Sequence, residues 1–245
     1  MTKYRKRTKK KKQIQIILTV IVFLLVAIFT IYEDEITQYL NKEFNTQTVS
    51  YTLEEIPEYN GNSYITLNNN KPNFTDDDYS FQGEKYSNLD SLGRCGTALA
   101  RVGIDTMPTE KRGSIGQIKP SGWHTIKYDN VNGKFLYNRC HLIGYQLTGE
   151  NANPKNLITC TRYMNTTGML EFENKVADYV KETKNHVLYR VTPIFKGNNL
   201  LASGVEIEAE SLEDNGKGIQ FHVYVYNVQD GIQIDYSNGD SSLIQ

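Results

Sequence analysis

The sequence predicts an α+β protein whose strands pair mostly antiparallel, and three observations carry that reading. Ile219–Tyr226 alternates apolar and polar positions, which places one face of a strand on a core. Val205–Ala209 alternates too, and His186–Phe195 is rich in β-branched and aromatic residues. Between Tyr163 and Thr183 the pattern changes: Met169, Phe172, Val176, Tyr179 and Val180 recur at helical spacing. Strands and a helix that follow one another without a repeating β-α alternation belong to the α+β class.

Taken in order, the chain opens with a charged flank and an apolar run. Lys3, Arg5, Lys6, Arg7 and Lys9–Lys12 precede Ile14–Tyr32, which is interrupted only by Gln15, Thr19 and Thr30. As a helix this run spans about 28 Å, enough for a bilayer core. The basic residues 1–13 stay in the cytoplasm and send the body outside. No small-x-small cleavage site follows, so 14–32 is read as an uncleaved single-pass anchor in the lipid bilayer. Secretion after signal cleavage is the alternative.

Residues 33–50 read as a stalk and 51–245 as the globular domain. Pro57, Gly61, Asn68–Asn70, Pro72 and Asp76–Asp78 punctuate the start of that domain, with a short extended piece at Tyr64–Leu67. The stretch 135–145, with Phe135, Tyr137 and Leu142, reads as a strand running into a loop.

Charge is segregated along the chain. The whole carries 27 Lys+Arg against 28 Asp+Glu, a net charge of -1, so it lacks the basic coat of a general nucleic-acid binder. Residues 94–141 nevertheless form one basic block between acidic neighbours. A partner of negative charge is drawn to that block by the local field.

The block ends at Asn138-Arg139-Cys140-His141. After a loop holding Gly149, Asn151, Asn153 and Pro154 come Asn156 and then Asn165, with Glu173 eight residues further on. Neutral imidazole suits His141 to take a proton from water near pH 7. A planar guanidinium suits Arg139 to a phosphate.

This stretch resembles the DNA/RNA non-specific endonuclease family, the ββα-metal or His-Me finger nucleases, and most of all its streptococcal DNA-entry nuclease and streptodornase branch. The family's Asp-Arg-Gly-His is matched by Asn138-Arg139-Cys140-His141, and its Asn-Pro-x-Asn by Asn153-Pro154-Lys155-Asn156. Its metal-binding Asn is matched by Asn165, and a Glu on the following helix by Glu173. Asn88–Arg94, Pro120-Ser121-Gly122-Trp123 and the closing segment Tyr226–Tyr236 match further marks of the branch.

The resemblance implies a ββα-metal fold with a central, mostly antiparallel sheet. It implies metal-dependent hydrolysis of DNA and RNA with low sequence preference. His141 becomes the general base, and Asn165 becomes the ligand of Mg²⁺, with Mn²⁺ or Ca²⁺ as alternatives. Arg139 and Glu173 join His141 as expected catalytic residues, and Arg139, Arg112 and Arg94 are the expected contacts to nucleic acid. Eight residues of uninterrupted helix rotate a side chain by about 80° and advance it by about 12 Å, so Glu173 is expected to meet the metal through water.

Two positions depart from the family pattern. Asn138 replaces an Asp, which leaves open a catalytically impaired surface protein that binds nucleic acid without cutting it. Cys140 replaces a Gly, and an extracellular setting permits a disulfide. Cys95–Cys140 is the pairing expected from position, leaving Cys160 free. Without a Cys-x-x-Cys pair a structural zinc site is not expected, and adjacent Cys140 and His141 on one strand face opposite ways, which argues against a Cys-His peptidase.

Overall fold

The computed structural model describes residues 50–244 together with Thr19. Most of the anchor 14–32 and the stalk 33–50 therefore lies outside the described residues. Among the described residues no helix is long and apolar enough to cross a membrane.

In chain order the domain runs β1 (Tyr64–Thr66), α1 (Asp76–Ser80), β2 (Glu84–Tyr86), β3 (Ala98–Val102), β4 (Tyr137–His141), α2 (Tyr145–Thr148) and β5 (Leu157–Thr161). A π-helical turn at Met164–Met169 leads into α3 (Leu170–Thr183). Then come β6 (Val187–Ile194), β7 (Gly204–Ser211), β8 (Gln220–Tyr226), β9 (Ile232–Ile234) and β10 (Ser241–Leu243).

Six strands form one antiparallel sheet in the order β1-β8-β7-β6-β3-β2. Its centre is the β6-β7-β8 meander that the sequence pattern predicts, in the register Val191↔Ile207 and Ile207↔Val223. Strands β4 and β5 form a separate antiparallel ribbon. This ribbon and the helix after it share one core with the sheet, in which Cys140, Ile158 and Met164 pack with Val205, Val223 and Val225.

Helix α3 buries Phe172, Val176, Ala177 and Val180, a stripe at helical spacing turned onto the sheet. Each large apolar side chain so buried contributes roughly 1.5–3 kcal/mol. The helix stops where Lys184 turns into the left-handed region at φ 65° and its N–H reaches the carbonyl of Val180. At the other end Gly168 lies against Val225, and a Cβ there would strike the valine side chain. A glycine therefore lets the π-helical turn lie close on the sheet.

Strand β8 is buried on both faces, not on one. Phe221, Val223 and Val225 face the helix core, while Tyr224 and Tyr226 pack with Leu67 under Tyr51, Leu53, Ile56 and Tyr59. The punctuated segment 51–80 is the cover for that second face. It is fastened by Arg190, which binds Glu208 (2.6 Å), Asp78 (3.0 Å) and the carbonyl of Asn73 (2.9 Å).

Candidate active site

Strand β4 carries His141 at its end, and the chain beyond it is pinned. Buried Asn156 accepts from the N–H of Ile143 (2.8 Å) and donates to its carbonyl (3.0 Å). Asn153 caps the turn Pro154–Asn156 by accepting from the N–H of Lys155 (2.9 Å). The Asn-Pro-Lys-Asn motif is thus a brace for the loop that faces His141.

That loop presents the carbonyl of Asn151 to His141 Nε2 at 2.7 Å. A carbonyl only accepts, so Nε2 carries the hydrogen and Nδ1 keeps its lone pair. Arg112 donates from Nη2 to that lone pair at 3.1 Å. His141 is 6% exposed. Burial, with the charge of Arg112 added, pushes its pKa down to about 4, and the Asn151 hydrogen bond only partly opposes this. The imidazole is held neutral, in one tautomer, with its basic nitrogen turned toward the arginine.

Arg112 lines a cleft of about 520 Å³ together with Trp123, Phe135, Asn138, Arg139, Arg162 and Asn165. No carboxylate lines it among the described residues. Of the residues expected from the sequence, Arg112, Arg139 and Asn165 thus line one cleft, with His141 behind it on Arg112. Arg94 stands elsewhere: it binds Asp90 (2.7 Å) and the carbonyls of Gly197 (2.8 Å) and Asn199 (3.0 Å), over the ring of Phe195. Its donors fasten two loops to each other, and it is not part of the cleft wall.

Arg139 is also largely committed. Its Nε donates to the Ile118 carbonyl and its Nη2 to that of Gly116 (2.9 Å), while its Cζ lies 3.8 Å from the centroid of the Trp123 ring. It shapes the cleft by holding the 116–123 loop.

Asn165 sits on the π-helical turn, where its backbone carbonyl accepts from the N–H of Leu170. The i→i+5 spacing of that bond adds a residue to the turn. The rotation expected between Asn165 and Glu173 on an uninterrupted α-helix therefore does not apply. Among the described residues, the side-chain amide of Asn165 has no hydrogen-bond partner.

Glu173 packs against Gly144, where a Cβ would meet the carboxylate, and receives Gln146 Nε2 at 3.5 Å. Burial raises its pKa to about 7, against the smaller pull of Gln146 and Arg112.

The expected Cys95–Cys140 disulfide is not formed. Cys140 pairs with Cys160, with Cα atoms 5.9 Å apart, and Cys95 is free and buried. The reason is register: Cys140 faces Ile158 and Asn138 faces Cys160 across β4–β5. The two cysteines thus stand diagonally on one face of the ribbon. The Cys95 thiol donates to the carbonyls of Leu157 (3.2 Å) and Pro154 (3.3 Å), and burial pushes it up to about 11.

Two contributors escaped the sequence reading. The Asn151 carbonyl is a backbone group, which no motif of side chains reveals. Arg162 reaches Asn138 Oδ1 at 3.5 Å, while Asn138 Nδ2 and Arg162 Nε are buried without partners. An Asp at 138 would offer the arginine a carboxylate and remove the orphaned donor.

The profile of the DNA/RNA non-specific endonuclease family matches residues 73–213, which spans the ribbon, the helix and the loops described above. The chain belongs to the DNA/RNA non-specific endonuclease family. Among solved structures, this endonuclease is similar to NucA from Streptococcus agalactiae, both without metal (TM-score 0.68) and with magnesium bound (TM-score 0.69). Identity is 26% in each case, over 79% of this chain and 92% and 94% of NucA. It is also similar to the Sda1 nuclease with bound zinc, at 32% identity and TM-score 0.55, over 66% of this chain and 80% of that one.

A second group of metal-ligand types exists in the endonuclease. Glu206, Glu208 and His222 bring ligand atoms within 4.8 Å of one another. Their hydrogen bonds are already made inside the fold: His222 Nε2 to Glu206 (2.6 Å), His222 Nδ1 to the Lys71 carbonyl (2.8 Å), and Glu208 to Arg190 and the Asn73 N–H. This group fastens the cover segment to the sheet.

Proposed function

We propose that this endonuclease hydrolyses phosphodiester bonds of DNA and RNA with His141 as general base and a divalent cation held by Asn165. The observation that carries the reading is the fixed tautomer of His141. Its Nε2–H is anchored on Asn151, and its basic Nδ1 is turned to an arginine that lines a cleft without carboxylates.

Arg112 holds Nδ1 before substrate arrives. A phosphate in the cleft offers that guanidinium a stronger, charged acceptor. Nδ1 is then released to take a proton from the attacking water. Arg162, whose Nε lacks a partner, supplies further positive charge to the phosphate oxygens. Because these groups address phosphate and not base edges, cleavage tolerates any sequence.

The free amide oxygen of Asn165 fits a hard cation that keeps most of its waters. Glu173, on the helix that follows, is proposed to accept hydrogen bonds from those waters. When bound, such a cation neutralises charge developing on the phosphate and the departing 3′ oxygen. NucA with magnesium and Sda1 with zinc support a divalent ion, and Mg²⁺ is the one proposed.

Residues 14–32 are proposed to anchor the chain in a bacterial membrane with the domain outside. The basic flank at 1–13 supports this orientation. The Cys140–Cys160 disulfide also fits an oxidising compartment.

The test is degradation of plasmid and RNA by the purified protein with Mg²⁺, with EDTA, and with His141→Ala. Loss of cleavage in both controls is expected. A His141→Ala protein that cuts at the wild-type rate overturns the assignment.

A further inference from the structure

Phe135 is 46% exposed although it stands on the wall of the cleft. A single exposed aromatic needs no explanation on an open surface, but this one is presented by a rigid support. The turn beneath it is closed by Tyr128 N–H to the Lys134 carbonyl (2.9 Å) and Lys134 N–H to the Val131 carbonyl (2.8 Å). Val131 and Leu136, on either side, are buried in a core of their own with Leu201 and Ile232.

The other aromatic rings of the cleft are used by the fold. Trp123 is covered by Arg139, and Tyr137 is buried with its hydroxyl donating to the Gly239 carbonyl at 3.0 Å. Phe135 instead carries only the Lys127 ammonium, 4.6 Å from its centroid. Among the described residues Lys127 forms no ion pair with a carboxylate, whereas neighbouring Lys134 is held by Asp129 at 3.0 Å. A ring beside a cation, in a cleft lined by three arginines and no carboxylate, matches a ligand with a flat apolar face and a phosphate next to it.

We infer that Phe135 is a stacking platform for an unpaired nucleobase, with Lys127 on that nucleotide's phosphate, at a subsite along the strand from the scissile bond. This rests on the nuclease reading above. Phe135, Tyr137, Arg139 and His141 occupy alternate positions of one chain segment, so ring and base lie at most about 20 Å apart. That is the length of about six stacked nucleotides. A phenyl ring has no hydrogen-bonding groups, so the platform accepts any base and keeps cleavage sequence-tolerant.

The test uses the full-length protein with Mg²⁺ and a single-stranded oligonucleotide with one hydrolysable linkage, the others blocked as phosphorothioates. An abasic nucleotide is walked through the positions flanking that linkage. Phe135→Ala is expected to raise KM about fivefold or more with kcat nearly unchanged, from the usual strength of base–aromatic stacking. Phe135→Trp is expected to restore it. One abasic position is expected to cost the wild type the same factor and to cost Phe135→Ala nothing further. A flat abasic scan in the wild type, or an abasic penalty undiminished in Phe135→Ala, overturns the platform while leaving the nuclease reading intact. Absence of cleavage by the wild type removes the nuclease reading instead. Anisotropy binding of the same abasic series then decides the platform, and a flat series overturns it.

Discussion

Arg112 Nη2 lies 3.1 Å from Nδ1 of His141, so a cation caps the ring nitrogen that keeps its lone pair. The opposite nitrogen is anchored on the Asn151 carbonyl at 2.7 Å, which leaves the imidazole no second orientation. In the proposed mechanism, a phosphate arriving in the cleft draws Arg112 away and frees that nitrogen.

This relationship sets the acid side of the pH profile. With burial and the arginine acting together, His141 is pushed down to about 4. In the free enzyme it is therefore deprotonated well below the pH at which an ordinary histidine titrates. Arg112→Ala removes the smaller of the two causes, so the acid limb of kcat/KM moves upward part of the way toward 6.5. The same substitution lowers kcat/KM by about 10²–10³, the cost of losing one donor to the transition state. A pH–rate series on both proteins reads both effects.

The Cys140–Cys160 disulfide closes a loop of 20 residues that includes His141, Asn151 and Asn156. A loop of that size is worth about 3 kcal/mol through the unfolded state. Cys140→Ala with Cys160→Ala lowers stability by roughly that amount in denaturant titrations. Peptide mapping of the unreduced protein finds Cys140 joined to Cys160 and Cys95 as a thiol. A Cys95-containing bridge contradicts the register argument.

His222 gives stability a dependence on pH. Burial alone lowers its pKa, but the Glu206 hydrogen bond, the Lys71 carbonyl and the charge of Glu208 together hold it above the ordinary value. A group whose folded pKa is raised stabilises fully below its unfolded pKa of about 6.5 and stops doing so as pH rises through the folded value. The wild type therefore loses stability above pH 6.5 through this group, and His222→Gln loses less over the same range. Urea midpoints at pH 6 and pH 9 measure the difference, and equal pH dependence in the two proteins contradicts the ion pair.

The sequence revealed the strands and the helix because apolar periodicity is local. Phe221, Val223 and Val225 alternate, and Phe172, Val176 and Val180 repeat at helical spacing, whatever lies around them. It also links His141 and Asn165 through their order in a motif, while Arg112 stands outside that motif as a candidate phosphate contact. It did not reveal the partner of Cys140, because cross-strand register depends on how two segments pair and not on either alone. Nor did it separate Arg94 from Arg112. Both are arginines of a basic stretch, and only the fold ties one to Asp90 and two carbonyls while turning the other to His141. The second buried face of β8 was hidden for a similar reason, since its cover comes from the segment around Leu67, far away in the chain.

The proposed mechanism requires His141 to act as a base and not as a structural residue. The most direct measurement is rescue of His141→Ala by added imidazole, with single-turnover cleavage of a DNA duplex followed in saturating Mg²⁺. The substitution is expected to lower the rate by about 10²–10⁴. Millimolar imidazole is expected to restore part of the rate in proportion to its unprotonated fraction. A rate that the substitution leaves unchanged, or one lost beyond rescue at every pH in a folded protein, contradicts the assignment.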